Sequence, residues 1–128
     1  MSVPTRWLGQ MDGQMADAER RLGLADKHLA AGNGSRALEE IYPGVMGAAM
    51  VLVWLTDEPW HNQRSLQDMS RLVRDALPPG FATLFEMKQE HRSFAGWRVE
   101  DAMPLIAEAR SFVAGVTAKL TRSRTPPS

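Results

Sequence analysis

The chain has 128 residues, 44% of them hydrophobic and 23% charged, the composition of one folded domain around a single core. Fifteen basic and fifteen acidic residues cancel, so no overall field draws the protein to nucleic acid or to an anionic membrane. Cysteine is absent, which excludes disulfides and thiolate chemistry and leaves the redox compartment unmarked.

The first residues, Met1 to Trp7, contain no basic stretch followed by a long apolar run, so no secretory signal is expected. From there Trp7, Met11, Met15, Ala18, Leu22, Ala25 and Leu29 recur at steps of three and four, one stripe along an α-helix. Pro4 suits its first turn and Gly32-Asn33-Gly34 its end. Gly9, Gly13 and Gly23 lie beside the stripe at about 1 kcal/mol each relative to alanine, so this helix depends on packing.

Ser35 is the expected N-cap of a second helix with Leu38 and Ile41 inside, and Pro43-Gly44 is expected to kink or interrupt it. Val45 to Leu55 is apolar on every side, the mark of a central bundle helix, and is shorter than the about 20 residues of a bilayer span. No membrane segment is therefore expected, and the location read from the sequence is cytoplasmic. Thr56-Asp57-Glu58-Pro59 closes this segment. Ser65 starts a third helix with Leu66, Met69, Leu72, Val73, Ala76 and Leu77 inside, stopped by Pro78-Pro79-Gly80.

A fourth segment carries Phe81, Leu84, Phe85 and Met87 toward His91-Arg92, with Gly96 breaking the pattern. The last helix opens on Glu100-Asp101, with Pro104 expected in its first turn and Ala102, Leu105, Ile106, Ala109, Phe112, Val113, Val116 and Leu120 inside. No alternation suggests a strand. The expected fold is all-α, an up-and-down bundle of five helices, two long and three shorter, over residues 1–120, with residues 121–128 a fraying tail.

Spacing limits the chemistry. His28, His61 and His91 stand about thirty residues apart, with no i, i+4 pair to grip a metal and no Glu-x-x-His for a di-iron cage, so neither metal nor cofactor is expected. Gly32-Asn33-Gly34-Ser35 lacks the longer loop and Lys of a phosphate cradle and reads as a helix-to-helix turn. Trp7 and Trp54 read as core, while Trp60 and Trp97 lie in connections, where an aromatic packs across a loop or anchors a partner. Eight methionines read as adaptable core filling. Twelve of the fifteen basic residues are Arg, which suits bidentate pairing, although the sixteen alanines fit a bias of genomic base composition. Arg64, Arg71 and Arg74 along the third helix alternate with Asp68 and Asp75 and read as solvated ion pairs.

The order of these parts resembles the HEPN domain family over about residues 7–120. The resemblance is carried by His28-Leu29-Ala30-Ala31-Gly32, by Ala48-Ala49-Met50-Val51-Leu52, by His61 followed by Leu66, and by Ala102-x-x-x-Ile106-x-x-Ala109-x-x-Phe112-Val113. It implies a small helical bundle that commonly dimerises. Many such domains are metal-independent ribonucleases, often toxins paired with a nucleotidyltransferase-like antitoxin; others are inactive partners or nucleotide-binding modules.

Active members are similar in placing an Arg and, after four to six residues, a His between the last two helices. Arg92 stands where that Arg would be, but the positions open to the His hold Trp97, Arg98 and Val99. His91 directly precedes Arg92 and points elsewhere on a helix. Arg21 and His28 match the bare spacing but lie inside the first helix. Catalytic candidates are thus Arg92 and His91, and ligand-binding candidates Arg92, Trp97 and Arg98. In one reading, residues 91–98 form a nucleotide or phosphate edge. In the other, Phe94 and Trp97 plug the bundle end while Arg92 and Arg98 pair with Glu90 and Glu100.

The leading expectation is a binding protein without catalysis, a homodimer or a partner's subunit, using the first helix with the last; its neutral charge permits self-association. The alternatives are a metal-independent ribonuclease or nucleotide binder using Arg92, which leaves RNA or nucleotide as a possible ligand, and a structural subunit of a larger assembly. A reader of DNA grooves is not expected.

Overall fold

The computed structural model describes residues 3–124, which form five α-helices and, among the described residues, no strand. These are α1 (Thr5–Ala30), α2 (Gly34–Asp57), α3 (Leu66–Ala76), α4 (Pro79–Gln89) and α5 (Val99–Arg124). Three are long and two short, in place of two and three.

The difference lies at Pro43. It removes one amide from the helix ladder, yet α2 runs straight through it. Pro43 is exposed, so its ring stands on the outer side of the helix, where the carbonyl it leaves without an amide, that of Glu39, is on the solvent side of the turn. Uninterrupted, α2 becomes long and apolar enough to cross a membrane by length and composition. Here it is the central helix, packed against α1, α3 and α5.

α1 and α2 form an antiparallel hairpin. α5 runs parallel to α2, its start against Gly34 and its later part beside Val53. α4 runs against both, from the Gly80 amide bonded to Glu108 to Lys88 paired with Glu39. The up-and-down order therefore holds for α1, α2, α4 and α5, with α3 packed on the C-terminal half of α2.

The stripes read from the sequence build one core: Met11, Ala18, Leu38, Ile41, Val45, Ala49, Phe81, Leu84, Ile106 and Val113 are all buried. No polar or charged residue is buried among the described residues, so apolar burial alone holds this interior.

Several local expectations need correction. Asn33, not Ser35, caps α2, accepting from the Arg36 amide at 3.1 Å, and the Ser35 hydroxyl donates back to it. Leu66 is 89% exposed, because it opens α3 beyond the part of that helix that meets the bundle. Trp7, Trp54, Leu105 and Phe112 are half-buried at the margin of the core. α5 begins at Val99, since the Asp101 carboxylate accepts from the Arg98 amide at 3.0 Å and fixes the start there. Pro104 therefore falls beyond the first turn, tolerated on an exposed face. α5 also continues to Arg124, so residues 121–124 of the expected tail are helical; residues 125–128 lie outside the described residues. Ser65 caps α3 as expected, accepting from the Asp68 amide.

Candidate functional site

The connection between α4 and α5 holds every candidate site residue. α4 stops at Gln89, earlier than expected, because His91 takes a left-handed backbone with φ 59°. Its amide donates to the Lys88 carbonyl at 3.0 Å and the Arg92 amide to that of Met87 at 2.9 Å. The pair is a Schellman motif with histidine in the place glycine usually holds. Gly96, φ 87°, then turns the chain under a bond from the Trp97 amide to the Phe94 carbonyl at 3.1 Å.

Phe94 is the plug. It is fully buried, edge-on to Tyr42 at 5.8 Å and to Trp97 at 6.2 Å between ring centres. The Lys88 ammonium sits 4.4 Å from its ring centre and 3.3 Å from the Glu39 carboxylate, a cation over a ring face with its counter-ion beside it. Burial pushes the Tyr42 hydroxyl above its ordinary pKa. Beneath this cluster Gly34 permits a close backbone contact: a Cβ there would overlap the Arg98 carbonyl group and come 2.7 Å from the Val99 nitrogen. Gly32 and Gly34 thus answer different needs, Gly32 supplying φ 79° at the end of α1 and Gly34 letting two helix starts touch.

The charged candidates turn outward. The Arg92 guanidinium lies 3.6 Å from Glu90 and that of Arg98 3.6 Å from Glu100, all four side chains more than half exposed. The shallow concavity beside Trp97 is lined by Ala95, Gly96 and Asp101, so its ionised group is a carboxylate and a phosphate would be repelled. His91 is exposed as the residue that ends α4. The structure therefore joins Phe94 and Trp97 at the bundle end and sends Arg92 and Arg98 to separate glutamates.

Seven other arginines are also engaged, Arg20, Arg21, Arg64, Arg71, Arg74, Arg110 and Arg124. Arg21 bonds Asp17 at 2.8 Å, the Glu40 carboxylate at 3.2 Å and the Glu40 carbonyl, so the arginine that matches the spacing to His28 has its guanidinium engaged. These bonds, with that from Arg20, hold the Asp17 carboxyl below its usual range. Arg71 pairs with Asp68, Arg74 with Asp75, and Arg64 with Asp57. Among the described residues no group of three or more His, Asp or Glu is placed to hold a metal ion.

Nothing in the sequence marks Tyr42 or Lys88, and Gly34 reads there only as part of a turn. Lys88 and Glu39 stand 49 positions apart, and nothing local marks them as partners. Gly34 left a trace, as the second glycine of a turn that needs only one positive φ. Compared with family models, with curated proteins and with solved structures, the chain matches none.

Proposed function

We propose that this chain is a HEPN-like bundle that acts in the cytoplasm by association, as a homodimer or a partner protein's subunit, and not by catalysis. The observation that carries the reading is the outer surface of α1 and α5. The two helices lie antiparallel, tied by Asp26 to Arg110 at 2.7 Å and by Asp12 to Arg124, so their outer faces make one continuous surface. On it Gly9, Gly13, Gly23 and Gly115 have open space where a Cβ would stand, and Met103 is 55% exposed. Helical glycine is destabilising by about 1 kcal/mol relative to alanine, and a helix from outside can approach such a face closely. The absence of a histidine at Trp97, Arg98 or Val99, the positions open to it after Arg92, and the pairing of that arginine with Glu90 support a non-catalytic role.

Light scattering after size exclusion at high micromolar concentration tests this. The expected result is a dimer that Gly13→Glu or Ala107→Glu dissociates while the helical circular dichroism is kept. A clean monomer that also recovers no stoichiometric protein partner from its native cell would sink the reading. RNA cleavage without added metal that vanishes in Arg92→Ala would replace it with the ribonuclease.

A further inference from the structure

At the end of the bundle remote from the α4–α5 connection, Trp7 of α1, Trp54 of α2 and Trp60 of the following loop meet. Trp7 and Trp54 stand 5.2 Å apart between ring centres at 73°, and Trp60 lies 5.7 Å from Trp7. Trp7 and Trp54 border an open cavity of about 350 Å³, completed by Pro59, Met69 and the loop residues Asn62, Gln63 and Arg64, while Trp60 backs Trp7 from outside the lining. That volume falls at the lower end of the range used for small ligands, about 300–1,000 Å³.

We propose that this corner binds a planar, uncharged heteroaromatic ring. Two indoles near a right angle offer a flat ring one face to stack on and one edge to meet, the arrangements aromatic pairs prefer. The indole N–H groups of Trp7 and Trp54, the two rings that line the cavity, have no acceptor in the described chain. Donors without acceptors favour a ring carrying nitrogen or carbonyl acceptors over a plain hydrocarbon ring. The charge of Arg64 is taken by Asp57, through bonds of 3.0 and 2.7 Å, so the wall offers no free cation to a phosphate or carboxylate. Gln63, exposed and without a hydrogen bond, is the amide free to read the ring's edge. The site lies apart from Arg92 and does not depend on the α1–α5 surface.

The test follows the four indole N–H signals of the full chain by NMR while adenosine, an uncharged probe, is added. Saturable shifts are expected at Trp7, Trp54 and Trp60 and not at Trp97. Trp54→Leu is expected to weaken binding about tenfold, the scale of one lost stacking partner. Gln63→Ala, on an exposed loop position that leaves the core intact, is expected to weaken it about threefold, and adenosine 5′-monophosphate to bind within about twofold of adenosine. The proposal fails if no saturable shift appears by about 10 mM adenosine, or if the monophosphate binds more than about tenfold tighter in a salt-sensitive way. It fails equally if only Trp97 responds, or if a proline-rich peptide moves the three signals and adenosine does not.

Discussion

The two ends of this bundle are closed by aromatic clusters built on opposite rules. At the α4–α5 end a single ring, Phe94, is fully buried, and Tyr42, Trp97 and Lys88 are arranged around it. At the other end three half-buried indoles lean on one another and leave a cavity. Both clusters bury aromatic surface, but the first has a fully buried ring at its centre and the second has none, its lining rings being part-exposed toward the cavity. Filled space resists ligands and sets stability; unfilled aromatic space is where a ligand can still gain contact.

The sharpest way to break this comparison is truncation at each end. Phe94→Ala should lower stability by about 3–5 kcal/mol in urea unfolding, the usual range for a fully buried phenylalanine. Trp54→Ala should fall about 1–2 kcal/mol short of that, because part of the indole already faces water. Equal losses would mean the two ends are equally filled.

Next in size is the backbone contact beneath Phe94. Gly34→Ala forces a methyl into the Arg98 carbonyl group and should destabilise by about 1–3 kcal/mol, measured the same way. Loss of the α1–α2 turn with α5 intact in hydrogen exchange would show whether the two helix starts part there.

α1 ends as α4 does, the Gly32 amide donating to the Leu29 carbonyl at 3.0 Å and the Asn33 amide to that of His28 at 2.8 Å, and these two Schellman motifs allow a finer comparison. Gly32→Ala should lower stability by about 1 kcal/mol, since alanine is strained at φ 79°. His91→Gly should raise it by up to about 1 kcal/mol, relieving the same strain where histidine bears it. If His91→Gly instead destabilises, the imidazole holds an interaction beyond its role in ending α4.

The smallest expected effects come from pH, with opposite signs at the two ends. The Arg64 guanidinium bonded to Asp57 holds that carboxyl below its ordinary 3.8. The contribution of the pair is whole above pH 3.8 and fades as the pH falls through the lower folded value. Tyr42 is raised above 10.0 by burial, so the folded state resists its ionisation. The stability tied to its neutral form is whole below pH 10.0 and lost as the pH climbs through the raised value. Trp60 indole signals should therefore respond first on acidification, and Phe94 ring signals first on alkalinisation.

Much of this could be read from residues alone. Steps of three and four placed the buried stripe of α1 at Met11, Met15, Ala18, Leu22 and Ala25, and that of α5 at Ala102, Ile106, Ala109, Val113, Val116 and Leu120. The pairing of Arg92 with Glu90 and of Arg98 with Glu100 was one of two readings of the connection, and adjacency in sequence made both pairs available. The kink expected at Pro43 does not form, because α2 is held on both sides of it by packing against α1 and α5, contacts distant in the chain.

The periodic placement of apolar side chains by itself determined that this protein is an all-α bundle, since a helix whose stripe is left uncovered has no stable alternative to packing against another. The sequence also located the α4–α5 connection and the missing histidine. Only the tertiary structure decided that α2 stays whole through Pro43, that Gly34 seats one helix start against another, and that Lys88 caps Phe94. Each depends on groups distant in the chain, whose contact geometry no local pattern encodes. The emptiness beside Trp7 and Trp54 is of the same kind, for a cavity is a property of how packed elements fail to fill space.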